Sequence, residues 1–104
     1  MKIYISGPIT GHEKTAYQHF EDAERAVIAY GHQAINPMKL NHSHHNGAWE
    51  EYMKVDLAEL LKCDAMLLLH GWSRSKGSIL EVKVATALGI RLIADIDDLP
   101  TVKL

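Results

Sequence analysis

Cysteine is nearly absent: Cys63 stands alone in 104 residues, which excludes an internal disulfide and fits a reducing compartment. Charge of one sign is also missing. A net charge of −2 gives no electrostatic case for a nucleic-acid or membrane-surface partner. No apolar run approaches the ~20 residues of a membrane span, and no charged-then-apolar leader precedes the first strand, so the expected location is cytoplasmic. No internal repeat, low-complexity tract or interdomain linker divides the chain, and residues 1–104 read as one domain with one core. Neither G-x-G-x-x-G nor a Walker lysine is present. His42, His44 and His45 share one polar stretch but lack the Cys or carboxylate pattern of a metal centre, so neither metal nor cofactor is expected.

What remains is the composition of an ordinary globular protein, 47% hydrophobic and 23% charged. Lys2 to Ser6 reads as a strand, followed by the breaker-rich turn Gly7-Pro8-Ile9-Thr10-Gly11. A helix fits from about Lys14 to Tyr30. Ala16, Phe20, Ala23 and Val27 form its apolar stripe, Glu21, Asp22, Glu24 and Arg25 face water, and Gly31 supplies the C-cap. His32 to Ile35 is a short strand stopped by Asn36-Pro37. After a polar loop from Met38 to Asn46, Ala48 to Lys62 reads as a second helix, with Asp56 at the edge of its apolar side. Asp64 to His70 is a third strand, apolar enough to be covered on both faces. A third helix, about Gly77 to Leu88, is apolar nearly all round and is expected to be largely buried. Ile90 to Ile96 closes the pattern as a fourth strand.

The order βαβαβαβ predicts an α/β fold: a flavodoxin- or Rossmann-like doubly wound parallel sheet of four to five strands with right-handed crossovers. Ligands in such folds sit beyond the carboxyl ends of the strands. Residues 6–11, 36–46 and 70–78 should converge there.

Glu81 is the first candidate for chemistry. It shares a face of the third helix with Ser78, Ala85 and Leu88, where a carboxylate is unfavourable without a purpose. The helix dipole favours its ionised form, which suits a nucleophile; the plainer alternative is a Glu that reaches the surface or a lysine. Asp56, on another helix, is the second carboxylate, and two carboxylates converging on one pocket suit glycosyl-bond chemistry. The loop Ser73-Arg74-Ser75-Lys76-Gly77-Ser78 brings two cations and several hydroxyls to a helix N-terminus and is the better of two anion sites; the other is Ser6 to Gly11. Trp72 is positioned to stack on a base, with a core role as the alternative. Cys63 reads as a structural thiol.

These residues together resemble the nucleoside 2-deoxyribosyltransferase superfamily, and within it the small domain-of-unknown-function (DUF4406-like) branch. The resemblance runs through Tyr4-Ile5-Ser6-Gly7-Pro8-Ile9-Thr10-Gly11, Asn36-Pro37, Trp49 to Leu61, Cys63-Asp64, Gly71 to Gly77, Glu81 and Ala87-Leu88-Gly89. It implies that Glu81 is the nucleophile, that Tyr4 holds it by a hydrogen bond, and that Asp56 orients the sugar or assists proton transfer. Ser75 and Gly77 match the serine and glycine near a 5′-phosphate in the nucleotide N-hydrolases. Ser6, Gly7, Pro8, Thr10, Asn36, Trp72, Arg74 and Ser78 complete the expected substrate-binding set. The first loop departs from those hydrolases, with Pro8 and Thr10 where they have Ser and Arg; Arg74 or Lys76 is the substitute cation. The implied activity is cleavage or transfer of the N-glycosidic bond of a nucleoside or nucleotide. A non-catalytic nucleotide-binding or sensing module is the alternative, and a purely structural domain the third. The expected partners are a small-molecule nucleoside or nucleotide and further copies of the chain in a homo-oligomer, with no nucleic acid and no membrane.

Overall fold

The computed structural model describes residues 1–42 and 48–101. Within them the chain runs β1 (Lys2–Ser6), α1 (Glu13–Ala29), β2 (Gln33–Ile35), α2 (Trp49–Leu60), β3 (Ala65–Leu68), α3 (Lys76–Ala87) and β4 (Arg91–Ile93). Short 3-10 turns cover Pro37–Lys39, Trp72–Arg74 and Ile96–Asp98. The strands form one four-stranded parallel sheet in the order β2-β1-β3-β4. This is the doubly wound arrangement that the βαβ alternation implied.

Alternation along the central strands divides the core in two. Ile3 and Ile5 of β1, with Ala65 and Leu67 of β3, pack with Ala16, Phe20, Ala23 and Val27 of α1. The intervening residues Tyr4, Met66 and Leu68 pack with Leu60 of α2, Cys63 and Ala85 of α3. Each large apolar side chain fully buried in these layers contributes roughly 1.5–3 kcal/mol. The chain winds from β1 through α1 to β2 on one side, and β3 and β4 follow on the other. A crevice therefore opens beyond the ends of β1 and β3.

Three expected elements differ. The fourth strand covers only Arg91–Ile93 rather than Ile90 to Ile96, because pairing with β3 ends at Leu67↔Ile93 and the Asp95 carboxylate then caps the next turn, accepting from Asp97 N at 2.9 Å. β3 itself stops at Leu68, two residues short of His70. The chain turns there, Trp72 N donating to Leu69 O, and Gly71 takes φ +84°. α3 is not largely buried: Ser78, Glu81 and Ala85 face inward, while Ile79 and Leu88 remain exposed. Leu88 thus leaves the face it was expected to share with Glu81. Glu21 and Glu24, expected simply to face water, both pair with Lys39, at 2.9 and 3.0 Å.

Gly7 carries the chain out of β1 where no side chain fits. A Cβ there would stand 2.9 Å from the Cβ of Leu69. Gly7→Ala is accordingly expected to cost roughly 1–3 kcal/mol by overpacking. Thermal unfolding should show a Tm lowered by at least ~4 °C.

Candidate active site

β1 presents Tyr4 and Ser6, two residues apart, on the face covered by α2 and α3. α3 returns Ser78 and Glu81, one turn apart, against them. Ser75 caps this helix, its Oγ accepting from Ser78 N at 3.2 Å. Gly77 lets α3 approach α2 closely, since a Cβ there would meet Met53 Sδ at 3.2 Å. From α2 comes Asp56. Tyr4, Ser6, Asp56, Ser78 and Glu81 are all buried, yet all line one cavity of ≈ 470 Å³.

Glu81 is held by two hydroxyls. Tyr4 Oη donates to Glu81 Oε2, and Ser6 Oγ donates to Oε1 at 2.8 Å. Ser6 has one proton to give, so the 2.9 Å contact with Ser78 Oγ is completed by the Ser78 hydroxyl. Burial, with a smaller push from the Asp56 charge, outweighs the pull of the Tyr4 and Ser6 hydrogen bonds and brings the Glu81 carboxyl up to about 7. The expectation that the helix dipole would keep Glu81 readily ionised is thus outweighed. Glu81 is the sixth residue of α3, past the first turn where that field acts, and burial dominates. The phenol of Tyr4 is raised far above its ordinary value, by burial first and then by the Glu81 charge, so it stays a proton donor.

Asp56 is raised by burial and lowered by His42, whose Nε2 lies 2.8 Å from Asp56 Oδ1. His42 also stacks on Tyr52, ring centroids 4.6 Å apart. His44 and His45 lie outside the described residues. Among the described residues no group of three or more His, Cys, Asp or Glu could hold a metal ion. Cys63 sits apart, its Sγ donating to Glu59 O at 3.3 Å and its thiol pushed up to about 11 by burial. That is a structural thiol.

A second cavity, ≈ 640 Å³, adjoins the first through Ile9, Thr10, Trp49, Ser75 and Gly77. Among the described residues its wall carries His12, His19, His70, Arg74 and Lys76, and no carboxylate. Lys76 Nζ rests 4.0 Å over the Trp49 ring, at the junction of the two cavities.

Of the residues singled out in the sequence, Tyr4, Ser6, Gly7, Thr10, Asp56, Ser75, Gly77, Ser78 and Glu81 line the first cavity. Pro8 and Arg74 line the second. Asn36 and Trp72 line neither. The Asn36 side chain is spent on the turn it caps, accepting from Met38 N at 3.0 Å and donating to Glu24 Oε1 at 3.1 Å. Trp72, expected to stack on a base, packs against the Tyr4 side of the core. Sequence reasoning missed His42 and Tyr52 at Asp56, and the imidazoles His12, His19 and His70. Tyr52 carried a usable signal, one helical turn before Asp56; the histidines come from separate elements and carried none.

The model of a family described as Domain of unknown function (DUF4406) matches residues 1–94. The chain belongs to that family. Among solved structures, the DUF4406 chain is similar to the 2-deoxyribosyltransferase of the psychrotolerant bacterium Bacillus psychrosaccharolyticus. The TM-score is 0.68 at 22% identity, over 88% of this chain and 69% of that one. The DUF4406 domain therefore has the deoxyribosyltransferase fold, in keeping with the resemblance drawn from its motifs. No curated protein matches. No helix among the described residues is long and apolar enough to cross a membrane.

Proposed function

We propose that this domain cleaves or transfers the N-glycosidic bond of a nucleoside or nucleotide, with Glu81 as nucleophile. One observation carries the reading: a buried carboxylate, held by the Tyr4 and Ser6 hydroxyls, faces the same cavity as a second carboxylate from the opposite helix. Holding a buried Glu in one orientation costs stability and makes sense where its oxygen must meet a carbon. The likeness in fold to a 2-deoxyribosyltransferase supports the same chemistry.

In this mechanism a Glu81 oxygen attacks C1′ of the sugar. The C1′–N bond breaks, and its electron pair leaves with the base, which takes up a proton. Water or a second base then attacks C1′ of the glycosyl ester and frees the carboxylate. Asp56 serves the sugar hydroxyls or the proton. Tyr4 and Ser6 hold Glu81 before the attack and relax their hold on the oxygen that becomes the ester.

The cation-lined cavity favours a phosphorylated substrate, with Arg74 and Lys76 as phosphate ligands beside the Ser75 cap of α3. Arg74→Ala should then raise KM for a 5′-monophosphate by roughly tenfold or more. Its effect on the matching nucleoside should be far smaller, as steady-state kinetics on the pair would show. The proposal also includes a cytoplasmic homo-oligomer. Exposed Ile79, Leu88 and Leu92 support the assembly, and sedimentation velocity tests it.

The test is base release, followed by chromatography, from a panel of nucleosides, 2′-deoxynucleosides and their 5′-monophosphates. Release by the wild type that is lost in Glu81→Ala supports the reading. No release from any member, with saturable binding, would favour a nucleotide-binding module instead.

A further inference from the structure

The proposed reaction needs a proton for the departing base, and Glu81, Tyr4 and Ser6 do not supply one. Glu81 must be ionised to attack, and the two hydroxyls are committed to it. Two other carboxyl groups line the cavity, Glu13 and Asp56. Glu13 is exposed, accepts from Gly11 N at 3.0 Å and is held below the usual carboxylate range by backbone hydrogen bonds. Asp56 is buried, which makes it the acid of choice, and it is not alone. His42 Nε2 meets its Oδ1 at 2.8 Å, with side-chain exposures of 15% for His42 and 13% for Asp56. The imidazole ring does not line the cavity; Tyr52, on which it stacks with 24° between the planes, does. The stacking holds the plane of the ring, and the hydrogen bond holds the Asp56 carboxyl from a ring that itself lies outside the cavity lining.

Resting on the glycosyl-transfer reading, we infer that His42 is a positioning residue for Asp56 and holds the proton that Asp56 delivers. The pair carries one exchangeable proton between Nε2 and the carboxylate. As the C1′–N bond breaks, that proton passes through Asp56 to the nitrogen of the leaving base, and the pair is left as neutral imidazole and carboxylate. When water attacks C1′ of the Glu81 ester, the proton it sheds returns to the pair; an acceptor base returns its own N–H proton in the same way. Protons, the C–N bond broken and the C–O bond formed balance over the two halves. The arrangement also serves Glu81. A proton shared with Asp56 removes the neighbouring negative charge that raises the Glu81 carboxyl, so the nucleophile stays ionised while the acid stays loaded.

The experiment compares wild type, His42→Ala and His42→Gln on two substrates of one sugar. One is a purine nucleoside or nucleotide on which the wild type releases base; the other is the matching 4-nitrophenyl glycoside, whose phenolate departs without a proton. For His42→Ala, kcat on the purine substrate should fall roughly 100-fold with KM little changed, and the loss on the nitrophenyl glycoside should be much smaller. His42→Gln keeps a hydrogen-bond donor for Asp56 and has no proton to give, so it should remain impaired on the purine substrate. Equal losses on the two substrates, no loss on either, or full recovery in His42→Gln would overturn the inference. If the wild type releases base from nothing, the reading at Glu81 fails and takes this inference with it; that result appears before any His42 variant is compared.

Discussion

Glu81→Gln is expected to abolish base release and, in the same molecule, to raise stability above neutral pH. The activity half follows from chemistry: an amide does not attack C1′, and loss of a nucleophile costs roughly 10³–10⁶-fold in kcat. The stability half follows from linkage. Glu81 titrates at about 7 in the folded protein against an ordinary value of 4.5. Between those values the folded state binds more protons than the unfolded one, so stability falls as pH rises from about 4.5 through about 7. Above that window the ionised, buried carboxylate costs on the order of 3 kcal/mol. Gln has nearly the same shape, carries no charge, and still offers a carbonyl oxygen to the Tyr4 hydroxyl. Thermal unfolding at pH 8 should therefore give Glu81→Gln the higher Tm, and the difference should close at pH 4. Equal Tm values at both pH values would mean that Glu81 carries no burial penalty. A residue kept at the expense of stability is the signature of a site selected for chemistry.

Tyr4→Phe should have the second largest effect. Tyr4 is fully buried, and its hydroxyl donates to Glu81, one of the two hydrogen bonds that favour the carboxylate form. Removing that donor leaves Ser6 alone against burial, so the Glu81 carboxyl must rise beyond about 7. Activity that needs ionised Glu81 climbs with pH through that value in the wild type. In Tyr4→Phe the rise should begin at higher pH, and kcat at pH 7 should fall roughly 10²-fold, since the oxygen that attacks is also less well held. The loss should shrink as pH is raised. A loss that is the same at every pH would assign Tyr4 to orientation only.

Part of this site was legible in periodic spacing, as with Ser78 and Glu81, whereas the role of Tyr4 came only through the family resemblance. The alternation in Tyr4-Ile5-Ser6 sends two hydroxyls to one face of the sheet, and the i, i+3 step from Ser78 to Glu81 sends two more polar groups back. The α1 stripe was equally plain, since Ala16, Phe20, Ala23 and Val27 leave only one face to bury. α3 misled for the opposite reason. Apolar nearly all round, it carries no directional pattern, and its inward face is decided by where Ser78 and Glu81 find partners, leaving Ile79 and Leu88 outside. The His42–Asp56 pair was hidden because its members lie 14 residues apart, one in a loop with no period to read. The cationic cavity draws its side chains from three separate stretches, and only a folded sheet brings them together.

The most direct measurement of the central claim is the mass of the protein, rapidly quenched with acid during turnover of whichever substrate releases base. Peptide mapping should find one glycosyl unit added to the peptide that contains Glu81, and none in Glu81→Gln. Base release with no adduct in a burst-phase quench, or an adduct on a peptide without Glu81, would contradict the account.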